Sequence, residues 1–214
     1  MHELAICQGL IAEIGRVSRA QRASQVHAVT VAVGALSGVD AGLLADMKAE
    51  TTLFLDAMIR EDRPMGELLT ADWTFLDQRL AAHYGLPGVE GDWLRRVRLG
   101  ERRVPGLLGH GSVLVATSNP TRTSPVKRGK WVLDALLDEA PPPPPPGTPL
   151  LPERGAAGAA PSMRERLAAH RADPACAACH RQMDAIGFGL EPLDPVGRAR
   201  SRDEGEPIDA TPDL

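Results

Sequence analysis

Aromatic side chains are scarce in this chain: three tryptophans, three phenylalanines and one tyrosine, 3% of 214 residues. A core with so few rings has to be aliphatic. Cysteine is equally scarce at three, and with two of these close together in one motif no pair is left for a structural disulfide. No apolar run approaches the ~20 residues of a membrane-spanning helix, so no membrane span is expected. A net charge of −4 gives no electrostatic reason to expect a nucleic-acid partner. The start of the chain also lacks the basic residues, apolar middle and small-residue cleavage site of a secretory signal. As written, the chain is therefore expected in the cytoplasm.

Glycine and proline, by contrast, are plentiful at 21 and 19 residues. The chain is long enough for one domain or two small ones, and this composition predicts short helices with long connections. The fold class expected is mainly α with one or two short strands, loop-rich, with a polyproline linker and a small helical segment at the C-terminus.

The most informative stretch is Cys176-Ala177-Ala178-Cys179-His180. Two thiols three positions apart lie on adjacent turns of a helix, where each can add across one vinyl group of a haem, and His180 follows where its imidazole can bind the iron. The spacing reads as c-type haem attachment by Cys176 and Cys179, with His180 as iron ligand. A redox dithiol is expected near a βαβ pattern, whereas this motif follows a proline and an Ala/Arg-rich helix. A zinc site needs about four ligands, and Cys7 is far away in sequence.

Around this motif the periodicity predicts helices over 4–22, 46–61, 72–84, 128–138, 162–172 and 176–185, and a strand over 26–34. Trp73, Leu76, Leu80 and Tyr84 form the stripe of the 72–84 helix, with Gly85 as its stop. Ser162-Met163-Arg164-Glu165 has capping-box spacing. The run Arg95, Arg96, Arg98, Arg102 and Arg103 reads as a solvated face.

Between Gly106 and Trp131, Asn119-Pro120 and Ser124-Pro125 set turns, and the hydroxyls of Thr117, Ser118, Thr121, Thr123 and Ser124 can cap local backbone groups. Lys127, Arg128 and Lys130 fall early in the next helix, where positive charge opposes the helix dipole. That placement makes Arg122, Lys127 and Arg128 candidate contacts for haem propionates, alongside the plain reading of a basic surface turn. Pro141 to Pro146 form a polyproline II rod of roughly 18 Å. Beyond the motif, Ile186, Phe188, Leu190, Leu193 and Val196 offer apolar cover for a haem face, and Gly187, Gly189 and Gly197 permit tight turns.

On the opposite side of the haem, Met183 is excluded as a ligand because it lies one turn from His180 on the same side. Met58, Met65, Met163, His83, His110 and His170 remain as donors.

Two resemblances overlay this reading. The runs MHELAICQGLIAEI and VAVGALSGVDAGLL resemble the opening of the hydrogenase nickel-incorporation accessory family HypA. That resemblance implies a nickel site at Met1, His2 and Glu3, with hydrogenase maturation proteins as partners; an imidazole beside backbone nitrogens suits square-planar nickel. It stops near Leu44, without the zinc ribbon of that family.

The runs LLTADWTFLDQRLAAHYGLPG, TSNPTRTSPVKRGKWVLDALL and CAACHRQMDAIGFGLEPLDPVGRAR look like the C-terminal half of planctomycete-type secreted cytochrome c proteins. This second resemblance covers about 45–214 and implies a c-type haem, a periplasmic or secreted setting, and a redox protein or further domains as partners. Such proteins are longer at both ends. The expectation is thus a fusion or fragment: a HypA-like segment over 1–44, a helical domain over 45–140, a linker over 141–161 and a truncated haem segment over 162–214. Three functions follow as alternatives: a haem-carrying electron-transfer module, a nickel-delivery accessory protein, or a non-functional fusion. No nucleophile, general base or substrate pocket stands out, so no enzyme activity is expected.

Overall fold

A computed structural model describes residues 41–100, 104–120, 122–143, 162–203 and 205–211. The expected helix over 4–22 and strand over 26–34 lie outside the described residues, as do Met1, His2, Glu3, Cys7 and most of the linker. Among the described residues the structure is mainly helical, with two small two-stranded sheets. That is the mainly α architecture the sequence predicts.

The longest of the described helices, α1 (Ala41–Arg60), buries Leu43, Met47, Glu50, Phe54, Ala57 and Met58. These recur every three or four residues and so share one face. Phe54, with no exposed surface, contributes about 1.5–3 kcal/mol through its burial. A short helix, α2 (Glu67–Thr70), leads into the next element.

Here the sequence reading needs correction: Trp73–Leu76 is a strand, β1, and the helix α3 begins only at Gln78 and ends at Tyr84. Trp73, Leu76, Leu80 and Tyr84 satisfy helical spacing by coincidence. The aromatic and β-branched run Trp-Thr-Phe-Leu favours extended backbone, and Asp77, not Asp72, starts the helix by accepting a 2.7 Å bond from the Leu80 N–H. Gly85 stops it as expected, in the left-handed region at φ 72°.

β1 pairs antiparallel with β2 (Arg95–Arg98), Trp73 opposite Arg98 and Phe75 opposite Arg96. The basic run is thus in part a strand. Arg96 lies 4.4 Å over the Trp73 ring and pairs with Glu61, while Arg98 pairs with Asp72.

A 3-10 turn at Leu107–Gly109 precedes α4 (Gly111–Ala116). Next comes α5 (Pro125–Leu137), capped by Ser124 with Pro125 in its first turn. Beyond the linker, α6 (Met163–His170) has the complete capping box of Ser162 and Glu165. The haem-motif helix is α7 (Pro174–Phe188), three residues longer at its C-terminus than expected. A last hairpin joins β3 (Arg202–Asp203) to β4 (Glu206–Pro207).

One helix crossing fixes where the motif sits. A Cβ placed on Gly129 of α5 would collide with the Met183 carbonyl of α7, and a Cβ on Gly187 of α7 would collide with the Pro125 carbonyl of α5. Each helix presents a glycine to the backbone of the other, so the two approach closer than side chains would allow. Gly187 therefore serves helix packing and not the turn expected of it. This crossing packs the segment read as 45–140 against the segment read as 162–214.

Candidate functional site

The motif begins at the first turn of α7. Pro174 is tolerated there because its missing N–H would be unpaired anyway, and the Asp173 carbonyl accepts from the N–H groups of Cys176 and Ala177 at 3.0 and 2.9 Å. At about 100° per residue, Cys179 and His180 fall within about 60° of Cys176 around the helix, and Asp184 lies about 40° beyond His180. Both thiols are free and half-buried, and His180 is half-buried beside them.

The His180 ring is held from one edge. Its Nδ1 lies 3.1 Å from Asp184 Oδ1, which leaves Nε2 as the nitrogen open to a metal. Asp184 itself has no exposed surface, and Arg171 at the end of α6 stands 3.7 Å from its other oxygen. Two thiols at the right spacing, with an imidazole whose inner nitrogen is already engaged, form a donor set that fits a c-type haem.

Of the donors considered for the opposite side of the iron, the structure brings one to the motif. The His170 ring packs edge-on against His180 with centroids 4.6 Å apart. Two metal–nitrogen bonds of roughly 2.0 Å each would separate sandwiching imidazoles further than this, so the pair as placed is a ring contact and not a ligand pair. Met58 belongs to the core around Phe54, and Met163 packs with Leu167 and Phe188. His83 Nε2 is 2.8 Å from the Val196 carbonyl, and His110 sits among Thr51, Thr74 and Glu50. Met65 is exposed on the surface.

Arg128 corrects the propionate expectation. Its guanidinium is buried and donates to the carbonyls of Leu190 (2.6 Å), Leu193 (2.9 Å) and Asp194 (2.9 Å), with Glu191 Oε1 at 3.3 Å. These partners lie beyond the far end of α7, roughly 18 Å of helix from Cys176. Burial pushes Arg128 down to about 10, and it stays charged at neutral pH. Lys127 binds Asn119 Oδ1 at 2.6 Å, and Arg122 donates to the Thr123 carbonyl at 3.3 Å; both hold the turn before α5. Phe188, Leu190, Leu193 and Val196, expected as haem cover, are buried inside the protein.

Three charged groups escaped the sequence reading. Asp184 was within reach of it, since His180 and Asp184 stand four apart on a helix. Glu191 and Arg200 were not: Glu191 Oε2 joins Arg200 at 2.9 Å and Thr123 Oγ1 at 2.8 Å, 68 residues away in sequence for the threonine. No local pattern announces such a contact.

Comparison with known families agrees with the second resemblance. Residues 104–203 match PSCyt3, a protein of unknown function (DUF1588), a span that holds α4 to α7 and the whole motif. Residues 18–86 match PSD4, a protein of unknown function (DUF1592), and this match begins inside the segment that resembles HypA. Both families are found in planctomycete-type cytochrome c proteins, and neither is the nickel accessory family. No curated protein and no solved structure matches the chain. Among the described residues no helix is long and apolar enough to cross a membrane.

Proposed function

We propose that this chain carries one c-type haem, bound through Cys176 and Cys179 with His180 as iron ligand, and acts as an electron-transfer module outside the cytoplasm. The observation that carries the reading is the shared face of α7: two free thiols three apart and an imidazole whose Nδ1 is taken by Asp184. In thioether formation each sulfur bonds one vinyl carbon and the thiol hydrogen goes to the other, so attachment consumes no oxidant or reductant. The bound haem would supply a one-electron couple.

The residues of this chain supply the rest. The glycine-mediated crossing of α5 and α7 fixes the motif helix, and Asp184 orients the imidazole. Because the thiols are only partly buried, a group attached to them would lie within reach of the surface, where a partner could exchange an electron with it.

The test is expression of the full chain with an export leader and a haem-attachment system, followed by intact mass under denaturing conditions. A mass increase of one haem that survives denaturation, with a Soret band, is expected. In Cys176→Ser/Cys179→Ser no haem should survive denaturation. A wild-type chain that stays at its apo mass would sink the reading.

A further inference from the structure

Asp184 is a costly residue to place where it is. It is fully buried, one residue from the Met183 carbonyl that packs against Gly129. Its Oδ2 finds no hydrogen-bond donor among the described residues, and the Arg171 nitrogen at 3.7 Å is too far to be one. A carboxylate buried and half satisfied opposes folding, whereas an apolar residue at the same position would carry no such penalty. What the carboxylate does make is one contact of functional consequence, the 3.1 Å approach of Oδ1 to Nδ1 of His180.

We infer that Asp184 is a positioning residue that tunes the iron site through His180. By accepting from Nδ1–H it fixes the tautomer in which Nε2 bears the lone pair, holds the ring against rotation and makes Nε2 a stronger donor. A stronger donor favours the oxidised iron, so the carboxylate lowers the reduction potential. Arg171, beside Oδ2, moderates that effect by drawing charge away from the carboxylate. This inference rests on the haem reading above.

The experiment compares the exported, haem-attached full chain with Asp184→Asn and Arg171→Gln. Covalent haem is checked by mass, the midpoint potential by spectroelectrochemical titration, and the His180 Nδ1–H exchange rate by proton NMR of the oxidised form. In Asp184→Asn, haem should remain attached. The reduced-to-oxidised ratio at fixed potential should rise about tenfold, the lower end of what such outer partners are worth, or about 59 mV for one electron. Nδ1–H exchange should quicken, which loss of a distant charge alone would not cause. Arg171→Gln should move the potential the opposite way, and it keeps the inference open to refutation where Asp184→Asn fails to fold.

Haem attached with wild-type potential and exchange in Asp184→Asn would overturn the inference and leave the haem reading intact. Unchanged potential in Arg171→Gln would overturn it equally. A wild-type chain with no attached haem would bring down both.

Discussion

Glu50 and Glu191 are both buried, at 0% and 4% exposure, but different groups reach them among the described residues. Among the described residues two hydroxyls reach Glu50: Thr74 Oγ1 donates to Oε1 at 2.9 Å and the Tyr84 hydroxyl to Oε2 at 2.7 Å, with His110 at 4.0 Å. Around Glu191 they are two guanidiniums, Arg128 at 3.3 Å and Arg200 at 2.9 Å, with one hydroxyl from Thr123. The first network joins neighbours in a small fold, α1, β1, α3 and the start of α4. The second joins different elements. It ties the turn before α5 to the chain that leaves the haem-motif helix, across 68 residues. At the second site two full charges help to gather a loop of carbonyls onto α5.

If that contrast is right, the guanidinium network should be the harder to lose. Arg128→Met keeps the length of the side chain but leaves Glu191 with one cation and strips the donor from three carbonyls. The expected cost is about 3–5 kcal/mol, typical of breaking a buried ion pair from one side, read as a lower urea midpoint at pH 7. Tyr84→Phe attacks the other network. It removes the donor to Glu50 and the acceptor of the Gly111 N–H, which reaches the Tyr84 hydroxyl at 2.8 Å. Here about 1–3 kcal/mol is expected, with Thr74 still bound to the carboxylate. Equal losses in the two variants would erase the distinction drawn between them.

The same contrast explains what could be read from the sequence. Helix ends were legible where one residue carries the signal by its own chemistry, Gly85 at φ 72° and the box of Ser162 and Glu165, whereas Ser124-Pro125, read as a turn ahead of a helix from 128, instead caps and opens α5. The haem motif and Asp184 share one helix, so their grouping follows from spacing alone. Trp73–Leu76 misled because four apolar positions fitted a helix while β-propensity and the Asp77 cap decided otherwise. Lys127, Arg128 and Lys130, read as opposing the helix dipole, lie in the first two turns of α5. For Arg128 the remedy, a cage of carbonyls and Glu191 more than sixty residues away, is written only in three dimensions. Thr123 shows the same limit: read as a local cap, it donates instead to Glu191.

The smallest expected effect lies in how the two-guanidinium site responds to pH. Burial holds the Glu191 carboxyl above its ordinary 4.5, while Arg128 and Arg200 pull the other way without overcoming it. A carboxyl with a raised folded value keeps its proton longer in the folded chain than in the unfolded one. Its contribution to stability is thus fully present below about 4.5 and is lost as pH rises through the raised value. Glu191→Gln removes the titration but keeps an acceptor for Arg200 and Thr123. Subtracting the unfolding free energy of Glu191→Gln from that of the wild type should give a curve that falls as pH rises from about 4.5. The reverse slope, a wild-type advantage that grows with pH, would mean that the attraction of the two guanidiniums outweighs burial. The Glu191 site would then be an ion-pair clamp whose strength comes from charge, and its difference from the hydroxyl network around Glu50 would be sharper than the present geometry requires.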